Sequence, residues 1–202
     1  MIEKIINKYK NHYPDSMITY RESAVMILLK KVQEVWHIVF EVRAFHLNSQ
    51  PGDICLPGGK RDLNETHKDT AIRETVEELG IDESGIQYIG AMDYLENPYG
   101  IRIYPHIGIL DNNVIMSPNS DEVDHIFYVP LDFFIQEKPK GYNIKVGPVN
   151  FKDFPFDKIR GGKNYPFRTG NNTKYFYEYK DYIIWGFTAD IIKYFTDSLK
   201  DV

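Results

Sequence analysis

Three glutamates, Glu74, Glu77 and Glu78, stand directly behind Arg73 in the stretch "GGKRDLNETHKDTAIRETVEELGI". The apolar spacing predicts a helix from about Thr66 to Leu79, stopped by Gly80. At about 100° per residue the three carboxylates share one sector. Ile72, Val76 and Leu79 fall on the opposite side, which is therefore expected to be the buried one, with the carboxylates facing outward. Like charges at this spacing cost roughly a few tenths of a kcal/mol in an isolated helix. A solvated acidic face is the commoner meaning of such a stripe, but the flanking residues favour another. Pro57-Gly58-Gly59 lets the backbone approach closely, and the Gly59 carbonyl could point inward. Clustered carboxylates and a carbonyl make the hard oxygen set that Mg²⁺ takes, shared with water and substrate phosphates. Arg73 can brace a neighbouring carboxylate through a bidentate contact. Glu65 is favoured near the helix start by the macrodipole.

The elements around this helix follow from composition and period. Residues 1–12 form a short amphipathic helix that stops before Pro14. "SAVMILLKK" (23–31) and "VWHIVFEVRA" (35–44) read as paired buried strands joined by a hairpin at "KVQE". The following stretch to Glu65 is loop-like. "IQYIGAMDYL" (86–95) and "IRIYPHIGIL" (101–110) alternate as strands around the turn "ENPYG". Pro130 opens a short helix, and "TADIIKYFTDSLK" (188–200) closes the chain as a helix with Ile191, Ile192, Phe195 and Leu199 on one side. Trp36 and Trp185 read as core. The pattern is α/β, a sheet covered on both faces.

The 202 residues, 43% hydrophobic with net charge −5, suit one folded domain and exclude a basic nucleic-acid coat. Charge is uneven: residues 53–83 carry nine acids against four bases, whereas residues 137–180 carry ten bases against four acids. An acidic patch suits cations and a basic one suits anionic ligands. The single cysteine, Cys55, allows no intrachain disulfide and fits a reducing compartment; it reads as a buried apolar residue rather than a nucleophile. The six histidines lack metal-ligand spacing. Without a secretory signal or a membrane-length apolar run, the expectation is a cytoplasmic protein with neither membrane nor nucleic acid as partner.

Gly59, five residues, Glu65, seven residues, Arg73-Glu74, two residues, Glu77-Glu78, one residue and Gly80-Ile81 together resemble the Nudix box. Thr75 stands where a bulkier apolar residue is more usual. The resemblance implies the Nudix fold, a mixed sheet between helices with the box as loop–helix–loop. Length and composition suit a single domain over 1–202, in which the basic, aromatic-rich 137–180 reads as short strands and loops forming an insertion. The resemblance also implies Mg²⁺- or Mn²⁺-dependent hydrolysis of a nucleoside diphosphate linked to another moiety. By the same resemblance Glu74 and Glu78 are the main metal ligands and Glu77 a third ligand or base. Gly59 supplies a carbonyl ligand, and Arg73 and Glu65 support the carboxylates.

"RAFHLNSQPGDICLPGG" resembles the signature of coenzyme A diphosphatases within the Nudix group, with Asn48 where that signature usually has Arg and Leu56 where it usually has Phe. "MDYLENPYGIRIYPHIGIL", "DEVDHIFYVPLDFF" and "IIWGFTADII" extend the likeness. In that reading coenzyme A is cut to 4′-phosphopantetheine and adenosine 3′,5′-bisphosphate. The alternatives are ADP-ribose or another nucleoside diphosphate conjugate as substrate, and a Nudix module that senses a nucleotide without cutting it. Glu122, in the loop before "IFYVPL", is a candidate further acid, with Asp121 its competitor. Arg43, Lys60 and Arg61 are candidates for phosphate contact, each also readable as a surface charge.

Overall fold

The apolar runs of "SAVMILLKK" and "VWHIVFEVR" become two long strands, β1 (Arg21–Val32) and β2 (Val35–Arg43), paired antiparallel with Leu29 opposite Ile38 and Val32 opposite Val35. The turn between them places Gln33 and Glu34 at φ +48° and +66°. Two consecutive left-handed residues match the twist of the flanking strands, as two-residue hairpins require. This computed structural model describes every residue except Pro14, Asp15, Pro98 and Val202. The expected stop before Pro14 and the proline of the "ENPYG" turn thus lie outside the described residues.

The chain begins with α1 (Ile2–Tyr9), which buries no side chain. After β2 come β3 (Ile54–Cys55), β4 (Gly58–Lys60) and α2 (His67–Leu79). Then follow β5 (Ile86–Ala91), β6 (Leu95–Glu96), β7 (Ile101–Leu110), β8 (Val123–Pro130) and α3 (Leu131–Gln136). The last part holds β9 (Lys140–Val146), β10 (Gly170–Tyr179), β11 (Tyr182–Trp185) and α4 (Gly186–Ser198). The main sheet runs β3-β2-β1-β7-β5, with β8 beside β2, β4 beside β1 and β6 beside β7. β1 and β7 are parallel and the other pairs antiparallel, so the sheet is mixed. A second antiparallel sheet runs β11-β10-β9.

Strand alternation sends side chains to two cores. Ala24, Met26, Leu28 and Val39 pack with Ala71 and Leu79 of α2. Ile27, Ile38, Phe40 and Val42 pack with Phe127, Phe134, Ile192 and Phe195 on the side of α3 and α4. Full burial of such a side chain contributes roughly 1.5–3 kcal/mol, and the two clusters fix α2 and α4 on opposite faces of β1 and β2. Among the described residues no helix is long and apolar enough to cross a membrane.

Several expectations need correction. The strand expected over 86–95 breaks after Ala91, because a register shift between Tyr88 and Gly90 precedes a separate short β6. Trp36 and Trp185 are exposed rather than core: Trp36 lies at the hairpin end of β2, and Trp185 ends β11 beside a cavity. Leu199 is exposed too, because α4 ends at Ser198 and the chain tightens into a 3₁₀ turn. Residues 137–180 are more regular than short strands and loops. The seven-residue β9 and ten-residue β10 hold full register from Gly170–Val146 to Phe176–Lys140.

Candidate active site

α2 is capped as its sequence demands. Thr66 Oγ1 accepts from the Asp69 amide at 3.2 Å, the Asp69 carboxylate accepts from the Thr66 amide at 3.2 Å, and Gly80 ends the helix at φ +59°. The helix does not present all three carboxylates outward, however: Glu77 is exposed, Glu74 half-buried and Glu78 buried. Glu78 is 3% exposed, and its Oε2 accepts from the Gly58 amide at 2.7 Å. Its partner stripe Ala71, Thr75 and Glu78 lies inward beside Leu79, so the sector named for solvent is in part a packing surface. The helix sits against β1 and β4, and their close approach needs glycine. A Cβ at Gly59 would overlap the Glu74 carboxylate, and one at Gly58, already at φ +149°, would overlap the Ala24 carbonyl.

Opposite Glu78 stands Glu41, a residue the sequence reading passed over. It follows Val39 by two positions along β2 and so shares the α2-facing side. Glu41 is 1% exposed; its Oε1 accepts from the Cys55 thiol at 3.2 Å, and its Oε2 has no hydrogen-bond partner. The available signal was a lone acid inside the apolar run "HIVFEVRA". Burial pushes the Glu78 carboxyl up, with repulsion from Glu41, Glu74 and Glu122 adding to it. Burial likewise pushes up Glu41, Glu74 and the Cys55 thiol. Four carboxylates therefore repel one another at one end of α2, and two of them are almost dry.

Arg73 organises the outer rim. Its Nε and Nη2 hold both oxygens of Glu65 at 2.6 and 3.1 Å, and its Nη1 meets Glu74 at 2.8 Å and Glu77 at 3.0 Å. The Arg73 guanidinium, helped by the Thr70 hydroxyl, holds the Glu65 carboxyl down at about 2. Glu77 is the outlying member, with its side chain 54% exposed and turned to Arg73. Glu122 is exposed in the loop before β8, where its carbonyl accepts from the Ala44 amide at 2.9 Å. Asp121 is exposed beside it. The Lys60 side chain is exposed at the end of β4. Arg61 meets Glu22 at 2.9 Å and donates to the Glu65 carbonyl at 2.9 Å.

A cavity of about 370 Å³ adjoins the carboxylates. Cys55 and Gly58, which bond Glu41 and Glu78, also line this cavity, together with Arg43, Lys174, Trp185 and Phe187. The Nε of Arg43 is buried without a hydrogen-bond partner. The volume lies within the ordinary range of small-molecule sites.

The donor set fits a hard divalent cation. It offers carboxylate oxygens, one of them orphaned and buried, in mutual repulsion that a cation would relieve. Among the described residues no three His, Cys, Asp or Glu side chains converge as a closed metal cage. An open arrangement of that kind suits Mg²⁺, which keeps waters and binds through one or two carboxylates plus substrate oxygens.

A glycine-edged strand, a capped helix carrying Arg73, Glu74 and Glu78, and a mixed sheet covered on both faces define the class. The chain belongs to the NUDIX domain family, whose model matches residues 19–147. It is similar to a peroxisomal coenzyme A diphosphatase of Mus musculus, at 35% identity over 119 residues that cover 58% of this chain and 50% of the relative. It is also similar to Nudix hydrolase 3 of Caenorhabditis elegans, at 32% identity, with 56% and 49% covered. The chain thus spans about half the length of these two relatives. A solved Ap4A hydrolase of C. elegans in a binary complex aligns with a TM-score of 0.49 at 18% identity, covering 57% of this chain and 84% of that one.

Proposed function

We propose that this protein hydrolyses the diphosphate bond of coenzyme A or an acyl derivative, releasing 4′-phosphopantetheine or its acyl form and adenosine 3′,5′-bisphosphate. One observation carries the hydrolytic reading: the dry carboxylates Glu41 and Glu78 and the partly buried Glu74, mutually repelling against a glycine edge beside a cavity of substrate size. The choice of coenzyme A is supported by the residues from Arg43 to Gly59 and by the named activity of the mouse relative.

In this reading Glu74 and Glu78 would hold Mg²⁺ or Mn²⁺, with the Gly59 carbonyl and Glu77 as further ligands. The cation would supply charge neutralisation at the diphosphate and a more acidic water. Arg73 keeps Glu74 in place and is itself fixed by Glu65. Gly58 orients Glu78 through its amide. In the same reading Glu122, exposed on the loop whose carbonyl accepts from the Ala44 amide, takes the role of general base. Arg43 and Lys60 contact the phosphates. Residues 1–202 act as one Nudix unit in which segment 137–180 contributes cavity wall.

A second reading, ADP-ribose or another nucleoside diphosphate conjugate, is favoured by Asn48, an exposed neutral residue where the coenzyme A signature usually has Arg. Purified protein with Mg²⁺ and a panel of coenzyme A, ADP-ribose, reduced dinucleotide and diadenosine polyphosphates separates the two. Cleavage of coenzyme A with release of adenosine 3′,5′-bisphosphate is the expected result. Turnover of ADP-ribose alone would replace the substrate, and binding without turnover of any member would leave a nucleotide sensor.

A further inference from the structure

The cavity beside β4 has a chemistry that the carboxylate site does not explain. It brings together two cations and two aromatic rings from distant parts of the chain: Arg43 from β2, Lys174 from β10, Trp185 from β11 and Phe187 from α4. Arg43 presents a buried Nε with no partner. A guanidinium N–H left unpaired away from water is costly, so the group is poised for an acceptor that a ligand brings. Lys174 makes no ion pair among the described residues; its Nζ stands 5.1 Å from the centre of the Phe187 ring. The carboxylate of Asp190 feels its charge, yet Oδ1 of Asp190 is itself buried without a partner, so the two do not neutralise each other by direct contact. Trp185 stacks on Phe176 at 5.7 Å and 11°, which fixes the indole plane, while 45% of the residue stays exposed at the cavity.

An uncharged, flexible arm would make no use of two free cations, and a simple phosphate would make no use of a fixed indole plane. A planar base carrying an anionic group uses both. Because Cys55 and Gly58 belong to the cavity and also bond Glu41 and Glu78, a diphosphate at the carboxylates delivers one of its two end groups directly into it. We propose that this cavity takes the nucleotide end of the substrate, with the base against Trp185, Arg43 at the phosphate nearest the scissile bond, and Lys174 at a further phosphate carried on the ribose. The assignment rests on the diphosphatase reading for its placement next to the chemistry. It makes Lys174 a specificity residue, supplied by β10, which lies outside the 19–147 match to the family.

Direct binding tests the subsite without requiring turnover. Trp36 and Trp185 are the only tryptophans, so Trp36→Phe leaves Trp185 as the sole indole reporter. Titration of that protein with adenosine 3′,5′-bisphosphate and with adenosine 5′-monophosphate is expected to quench Trp185. The bisphosphate should bind about tenfold more tightly, as one additional charge-assisted contact implies. Lys174→Ala is expected to erase that preference and Lys174→Arg to keep most of it. In hydrolysis the same variants should shift the ratio of KM for coenzyme A to KM for its 3′-dephospho form by a similar factor. Equal affinity of the parent for the two nucleotides, an unresponsive Trp185, or a Lys174→Ala loss shared equally by both ligands would overturn the assignment. Selective binding without hydrolysis of coenzyme A would sink the proposed reaction and leave the subsite standing. Hydrolysis without selective binding would do the reverse.

Discussion

The inner face of α2 and the outer face of the β9–β11 sheet carry opposite charge and treat it in opposite ways. Beside α2, Glu41 and Glu78 are stripped of water and repel each other; among the described residues neither has an ion pair, only the charge of Arg43 partly offsets Glu41, and Arg73 serves the rim. On the small sheet the residues of β9 are exposed apart from a half-covered Val146, and Lys140 pairs with Glu178 in open solvent. That sheet is anchored by rings instead: Tyr182 stacks on Phe127 at 3.7 Å and 3°, and Tyr177 meets Phe134 edge-on at 5.0 Å. Burying an unpaired charge is among the more destabilising things a chain can do, whereas an exposed pair contributes little in either direction. The contrast bears on the proposed function: carboxylates held against their own electrostatics need a reason outside the fold, and the proposed cation-assisted hydrolysis would supply one.

The largest effect expected from breaking this contrast is at Glu78. Glu78→Gln keeps an oxygen for the Gly58 amide and removes the charge. Turnover should fall by roughly 10²–10⁴-fold, the scale of a lost catalytic group, while the metal-free protein melts no lower than the parent because repulsion with Glu41 is gone. Steady-state kinetics beside calorimetry reads both. Near-parental kcat, or a collapse of the fold, would show that Glu78 is structural.

A smaller effect separates buried carboxylates from the exposed rim by pH. Glu41 and Glu78 are raised above the usual 4.5, chiefly by burial, so in the absence of metal the native state holds protons that the unfolded chain has released. Their contribution to stability is full below about pH 4.5 and is lost as pH rises through the raised values. Glu65, lowered to about 2 by Arg73, works the other way and weakens the fold only as pH falls through the acid range. In chelator, the melting midpoint should therefore drop by roughly 5 °C between about pH 5 and about pH 9. Millimolar Mg²⁺ should recover most of that loss at the upper end. A midpoint that is flat in chelator and indifferent to Mg²⁺ would argue that the cluster neither repels nor binds a cation.

How much of this was written in the sequence depends on the range of the interaction involved. The α2 boundaries were legible because Thr66 and Gly80 act on their own helix, and the β1–β2 hairpin was legible because its turn is two residues long. The shared sector of Glu74, Glu77 and Glu78 followed from helical arithmetic. Which side of the sector is covered did not, since that depends on β4 and on the missing Cβ atoms of Gly58 and Gly59. Glu41 escaped notice for the same reason: its partners come from α2 and from Cys55, and a strand pattern records alternation but not what lies opposite. Trp185 was read as core on residue type. Its exposure is set by a cavity assembled from β2, β10, β11 and α4, which no local pattern encodes.

The smallest effect belongs to the exposed side of the comparison and serves as its control. Lys140 Nζ lies 2.7 Å from Glu178 Oε1, within 0.1 Å of the shortest contact at Arg73, and Glu178 holds the Lys140 ammonium above its ordinary value. Distance alone would rank the pair with the carboxylate site. Both side chains are more than half exposed, however, so water and salt screen the attraction and ordering two long side chains opposes it. Lys140→Ala should accordingly shift the melting midpoint by less than about 2 °C and leave the pH profile of stability in place. A shift as large as that from the α2 cluster would mean that short contacts matter here irrespective of burial, and the case for reading Glu41 and Glu78 as functional would lose its physical basis.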